Sequence, residues 1–426
     1  MTRSPRTFPR AGMPALVLAV LALATLALAG CSARNAPTAG AAGAAGSSGT
    51  GAGPSSASGG SSIVIGAMGT FSGVASGSTA DAKELAEDWV DATNAAGGIN
   101  GHQVKLIVLD DQNSPSTALS NAEQLVQQDH VQAIFDLSDD NESTWAKVPD
   151  AAKVPVIGQA ESPTFGTDPN FYPVGTTVGP LIWGELKAAS IAKVSKVGAL
   201  YCAEIASCSE TVPLITGLSK PLNISLAYSA QVSSSAVSYT AQCLGAKNAG
   251  ANGATVVAAS DTALRVAESC ATQGYKPTWV STAGEMTTPW LAQPAVNGAI
   301  GNTQDVPPFD DSTPASKAMQ AAIAKYSPSV ESSATYGATA TIGWAAGVVF
   351  DAAAAKARLT PGSPSTAVIS GLDSISNDTF GGITPPLTYT PGKPIQVPCS
   401  YVIGIKNGKW SEPVGLKTVC APPAAA

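Results

Sequence analysis

From Ile63 onward, short apolar runs that read as strands alternate with segments whose apolar residues repeat at helical spacing. The runs fall at 63–67, 104–109, 132–136, 154–157, 196–201, 224–228, 254–259 and 277–280. After the first of them, Ala82, Leu85, Ala86, Trp89 and Val90 keep the i, i+3, i+4, i+7, i+8 spacing of a helix lying on a sheet. Gly97 and Gly98 then end it, as glycines commonly end helices. Alternation of this kind implies parallel sheets with helices on both faces, an α/β architecture. Ligands of such sheets sit beyond the carboxyl ends of the strands. The loop Gly69-Thr70-Phe71-Ser72-Gly73 occupies that place after the first strand. Later, a helix is expected over 335–356, then a strand over 401–405 and a hairpin turn at Asn407-Gly408.

The first 61 residues have a different character. Arg3, Arg6 and Arg10 precede an apolar run from Ala11 to Ala27, which ends in Leu28-Ala29-Gly30-Cys31. A basic start, a short apolar centre and small residues at a cleavage point describe a secretory signal over 1–30. The run is shorter than the ~20 residues that a spanning helix needs. Leu28–Cys31 resembles the bacterial lipobox, which implies that Cys31 is lipidated and becomes the new N-terminus. Residues 31–61 are nearly all Ala, Gly, Ser, Thr and Pro. That composition cannot bury enough apolar surface to fold, so it reads as a flexible leash. The expected location is the extracytoplasmic face of the cell membrane, with the protein held there by lipid.

About 365 residues follow the leash, enough for two lobes. Removing 1–30, which carry three arginines and no acid, takes the net charge from −7 to −10. An acidic body with few basic residues argues against nucleic acid as a partner. Apart from Cys31, the cysteines are Cys202, Cys208, Cys243, Cys270, Cys399 and Cys420. In an exported protein an even set reads as disulfides, and six cysteines allow fifteen pairings. Sequence neighbours favour 202–208, 243–270 and 399–420. A zinc site is disfavoured, because no CxxC pair occurs and only His102 and His130 could assist. No cofactor is expected. An extracellular α/β hydrolase is the rival class, but neither histidine accompanies a nucleophile motif and no G-x-S-x-G elbow follows a strand.

Three stretches carry a more specific likeness. They are "IVIGAMGTFSGVASG", "NAAGGINGHQVKLIVLDDQNSPSTALSNAEQLVQQDHVQAIF" and "VPVIGQAESP", in this order and spacing. Together with Asn94, Gly97, Gly98, Ile99, Gly101, Asp110 and Asp111, they resemble the branched-chain-amino-acid-binding family of ABC-importer solute receptors. The later "ATVVAASDTALRVAESCATQGYKPTWV" resembles that family's last full βαβ unit before the chain returns to the first lobe. The resemblance implies a type I periplasmic-binding-protein fold, two Rossmann-like lobes joined by three hinge crossings. Lobe one would be 62–177 plus 285–395, and lobe two 178–284 plus 396–426. It also implies a monomeric binding protein, not an enzyme, that captures a small polar solute and delivers it to a permease. A ligand sensor coupled to a signalling partner is the alternative within the same fold.

By the same resemblance, Ser72 matches the serine of the family's opening loop and faces the cleft, and Ser138, Ala160 and Ser162 match positions that receive the ligand's carboxylate. Asp139 and Glu161 depart from the pattern. A carboxylate at a helix N-terminus repels a ligand carboxylate and competes for the same amides, or else only caps the helix. In the second lobe, Tyr201, Glu204, Asp261, Thr262 and Glu285 fall at or just beyond strand ends, with Asp261 and Thr262 nearest the family's ammonium-binding place. Asp110 and Asp111 are expected to organise the loop after their strand. Trp183, Trp279 and Trp290 are expected in the core.

Overall fold

The first strand, Ile63–Gly69 (β1), is apolar at every position, and such a strand is stable only when covered on both faces. In the computed structural model, which describes residues 61–73, 76–137, 141–159, 162–204, 206–281 and 285–423, it lies inside a parallel sheet. The other strands of that sheet are Val104–Asp110 (β2), Ile134–Asp136 (β3), Val156–Gly158 (β4) and Phe171–Pro173 (β5). The order is β2-β1-β3-β4-β5. A second sheet takes Lys196–Cys202 (β6), Ser225–Val232 (β7), Gly253–Val257 (β8), Thr278–Ser281 (β9) and Ile300–Thr303 (β10), all parallel. Cys399–Lys406 (β11) then adds antiparallel to β10, with Lys409–Ser411 (β12) and Thr418–Cys420 (β13) paired to it. The order is β12-β11-β10-β9-β8-β6-β7, with β13 on β11.

The α/β class and the parallel sheets follow from the alternation. The expected helix face is buried, with Ala82, Leu85, Ala86, Trp89 and Val90 all inside in helix Ala82–Ala95. Asn407 and Gly408 turn the β11–β12 hairpin with φ of 53° and 71°, the left-handed pair that a two-residue type I′ turn needs. One boundary differs. The helix expected from 335 begins at Thr341, because the backbone before it is engaged elsewhere. Gly337 bridges Thr287, and the Thr288 amide donates to the Tyr336 carbonyl at 2.8 Å. β5 and β10 lie outside the runs read as strands, being short and interrupted by Pro173 or by Gly301 and Asn302.

The first lobe's core is two clusters on the two faces of its sheet, the larger built around two helices. Helices Ala82–Ala95 and Thr341–Ala357 approach so closely that a Cβ on Gly343 would lie 2.0 Å from the Ala82 carbonyl oxygen. One on Gly347 would lie 2.1 Å from the Trp89 ring. Trp89, Phe135 and Phe350 meet there with ring centroids 5.8–6.3 Å apart, in tilted and edge-on arrangements. In the second lobe, helix Val178–Ile191 packs on the sheet and is buried nearly all round, Glu185 included. Asn302 Nδ2 donates to the Leu181 carbonyl at 2.9 Å and to Ser400 Oγ at 3.2 Å, tying helix to sheet. The cysteines pair as Cys202–Cys208, Cys243–Cys270 and Cys399–Cys420.

Candidate functional site

Parallel strands present their carboxyl ends on one edge, so the residues that follow them are gathered by topology. At the first sheet, β1 and β2 end in register at Gly69 and Asp110. Asp110 accepts from Ser72 Oγ (2.5 Å) and from the amides of Phe71 and Gln112 (3.0 Å each). Burial works to raise its carboxyl, but the hydrogen bonds from Ser72, Gln112 and Phe71 outweigh that and hold it below the ordinary carboxylate range. Asp111 is wholly enclosed and accepts from Thr70 Oγ1 (2.7 Å), the Asn113 amide (2.8 Å) and Asn141 Nδ2 (3.4 Å). The paired acids thus fix the opening loop, and Ser72 stands exposed on its rim.

Asp136, Glu142 and Gln159 lie buried at the ends of β3 and β4. β4 ends in glycine because a Cβ on Gly158 would sit 1.9 Å from the Asp136 carbonyl oxygen. Ser162 is the N-cap of the short turn Pro163–Gly166, its Oγ accepting from the Thr164 amide at 3.2 Å. Ser138, Asp139, Ala160 and Glu161 lie outside the described residues, as do Cys31 and the signal segment.

At the second sheet, Glu204 follows β6 and accepts from Ser233 Oγ (2.7 Å), the Ser234 amide (2.7 Å) and Ser234 Oγ (3.0 Å). Slight burial opposes ionisation, but these donors pull its carboxyl down to about 2. The side chain clasps the loop after β7, while the Cys202–Cys208 bond closes the loop that carries it. Asp261 is exposed in the first turn of helix Ser260–Thr272 and faces Arg265 at 3.6 Å. Thr262 accepts from the same guanidinium at 3.0 Å. Glu285 is buried and accepts from Ser281 Oγ at 2.7 Å. Tyr201 is half-buried on β6. Trp183, Trp279 and Trp290 are core residues; Trp279 Nε1 donates to the Ala295 carbonyl and Trp290 Nε1 to Ser260 Oγ, each at 2.9 Å.

The two strand-end edges meet. A Cβ on Gly77, in the loop after β1, would lie 3.2 Å from the Ala259 Cβ and 3.3 Å from Asp261 Oδ1, after β8. Behind this contact, three chain segments run between the sheets side by side. The Thr176 amide donates to the Gln304 carbonyl (3.3 Å) and the Thr177 amide to the Val397 carbonyl (3.2 Å). Thr176 Oγ1 donates to the Cys399 carbonyl at 2.5 Å, and Thr177 Oγ1 to Gln396 Oε1 at 2.8 Å. Two lobes on a hydrogen-bonded triple strap, with loops facing across the seam, are built to enclose a solute. A sequence model described as periplasmic binding protein matches residues 62–409.

The chain belongs to the periplasmic binding protein family. Solved structures agree on the type I two-lobe fold. A branched-chain amino acid ABC transporter protein from Thermus thermophilus, with bound valine, superposes with a TM-score of 0.74 at 14% identity, over 84% of this chain and 97% of that one. A fatty acid ABC transporter substrate-binding protein from Thermomonospora curvata gives 0.72 at 18% identity, over 86% and 94%. A Rhodopseudomonas palustris solute-binding protein in complex with benzoate gives 0.67 at 15% identity, over 84% and 98%. No curated protein matches the sequence.

As a periplasmic binding protein, the chain offers hydroxyls, amides and carboxylates at its strand ends. Among the described residues no group of three or more His, Cys, Asp or Glu is placed to hold a metal ion. His102 and His130 both precede strands, at the ends opposite the seam. Gly77, Asn141 and the Thr176–Thr177 strap were not singled out in the sequence. A lone glycine in a Ser/Gly loop, or a Thr pair after a short strand, gives little local signal that it touches a distant segment.

Proposed function

We propose that the protein is a lipid-anchored extracytoplasmic receptor that captures a small polar solute, an amino acid or a related amide or amine, and delivers it to an ABC-importer permease. The observation that carries this reading is the meeting of the carboxyl ends of two parallel sheets across a seam strapped by three crossings. Hinge closure over a solute in such a seam excludes water, so a few polar groups suffice for specificity. Family membership supports an extracytoplasmic location, and the lipobox at Leu28–Cys31 supports an anchor at Cys31. The β10 pairing favours a second lobe of about 178–303 plus 396–423, with the first lobe taking 62–177 and 304–395. The body works as a monomer.

Ser72, Ser138, Asp139, Ala160, Glu161, Ser162, Glu204, Asp261 and Glu285 are the proposed ligand contacts. Of these, Asp139, Glu161, Glu204, Asp261 and Glu285 are acids. Like charge disfavours an ionised partner within ~4–6 Å and opposite charge favours it. A neutral polar or cationic solute is therefore preferred over a simple branched-chain amino acid. Calorimetry with leucine, isoleucine and valine against amides and polyamines tests this, with benzoate and a fatty acid as comparators. Heat of binding is expected from an amide or a polyamine. Tight binding of leucine, undiminished in Asp139→Ala and Glu161→Ala, sinks the charge argument. Binding of benzoate or the fatty acid alone sinks the polar-solute reading.

A further inference from the structure

The strap and the seam differ in how they join the lobes. At the strap, backbone and hydroxyl groups of residues 176–177 bond to residues 304, 396, 397 and 399. A second bonded join lies at Thr287 and Thr288, which pair with Gly337 and Tyr336. The seam contact at Gly77 has another nature. The loop around it is held to its own lobe: Thr79 Oγ1 donates to the Thr70 carbonyl at 2.7 Å, and the amides of Thr79 and Ala80 donate to the Ser76 carbonyl. Among the described residues, the nearest groups that a Cβ at 77 would meet lie across the seam, the Ala259 methyl group and the Asp261 carboxylate.

Gly77 is not in the left-handed backbone region, unlike its neighbour Gly73 with φ of 89°. Local geometry at 77 therefore admits any L-residue, and the turn itself does not require glycine. What a side chain would meet is the other lobe, with distances of 3.2 and 3.3 Å that demand a shift of a few tenths of an ångström for alanine and more for anything larger. In a hinge protein, how near the lobes come is set by the groups that meet across the seam.

We infer that Gly77 and Ala259 form the closing contact of the protein, and that the missing side chain at 77 sets how near the two strand-end edges come. A larger residue there props the lobes apart. This rests on the reading that the lobes close on a solute, but it is scored without one, so its failure and the failure of that reading are distinguishable.

The test uses the full exported chain without added solute. A disulfide needs Cβ atoms about 3.5–4.5 Å apart, close to the 77–259 separation. In Gly77→Cys/Ala259→Cys, peptide mapping under non-reducing conditions should show a 77–259 link in most molecules beside the three native bonds. Free thiols at both positions with the native bonds intact would overturn the inference. Independently, Gly77→Val should give a larger radius of gyration by small-angle X-ray scattering than the wild-type protein, with an unchanged circular dichroism spectrum. Ala259→Gly should not. Superimposable scattering curves for Gly77→Val and wild type would equally overturn it.

Discussion

Both lobes are held by packing, and the second adds covalent bonds. In the first, two helices meet through Gly343 and Gly347, and three aromatic rings fill the space between them and the sheet. In the second, the largest apolar cluster is smaller than the first lobe's, Glu185 and Asn302 are buried under helix Val178–Ile191, and all three disulfides are found. Each disulfide joins neighbours in sequence: a strand end to its following helix, two successive helices, and β11 to β13. A cross-link raises stability by restricting the unfolded chain.

Overpacking the first lobe should have the largest effect. Gly343→Val pushes a branched side chain into the backbone of Ala82 and Ala86, and should cost about 3 kcal/mol or more. Denaturant unfolding followed by tryptophan fluorescence measures it; a loss below about 1 kcal/mol would mean that the helices can separate freely. The matching change in the second lobe is Cys243→Ala/Cys270→Ala, which opens a link of sequence separation 27. It should cost about 2–4 kcal/mol. Hydrogen exchange should then quicken in β6–β9 and not in β1–β4, and uniform quickening would erase the distinction between lobes.

A third measurement sharpens the polar side of the comparison. Burial pushes the Glu185 carboxyl up to about 7, with a smaller opposing interaction from Thr255. The folded protein thus holds this proton more firmly than the unfolded chain does. Its contribution to stability is full below the unfolded value near 4.5 and is lost as pH rises through about 7, the swing being on the order of 2–3 kcal/mol. Glu185→Gln should flatten that decline between pH 5 and pH 8 and gain stability at the alkaline end, read from melting temperatures. An unchanged slope would place the proton elsewhere. The smallest effect belongs to Ser72→Ala. It removes one exposed donor from Asp110 and should cost roughly 0.5 kcal/mol, with the loop amides still in place.

Much of the fold was legible because its signals are local. The stripe from Ala82 to Val90, the glycines after it and the Asn407-Gly408 turn each follow from backbone or side-chain preferences within a few residues. The start of helix Thr341–Ala357 was not, because Tyr336 and Gly337 are bonded to Thr288 and Thr287, far away in the chain. The site divides the same way. Asp110 and Asp111 could be assigned to loop organisation because Asx-type bonding is local, reaching Gln112 and Asn113. Glu204 carried no hint that it grips Ser233 and Ser234, since that partnership depends on β6 and β7 being neighbours.

The first lobe is assembled from both ends of the chain. Asn100 Nδ2 donates to the carbonyls of Ala354 and Leu359, and Val397 belongs to the same apolar cluster as Ile63. A chain threaded across a membrane N-terminus first therefore delivers β1, β2 and the Trp89 helix long before their packing partner arrives. Until Thr341–Ala357 has emerged, only part of that apolar face is covered, by helix Pro314–Tyr326. The lobe that is begun first is completed only when residues near 397 are present, so its apolar face stays partly uncovered until nearly the whole polypeptide is through.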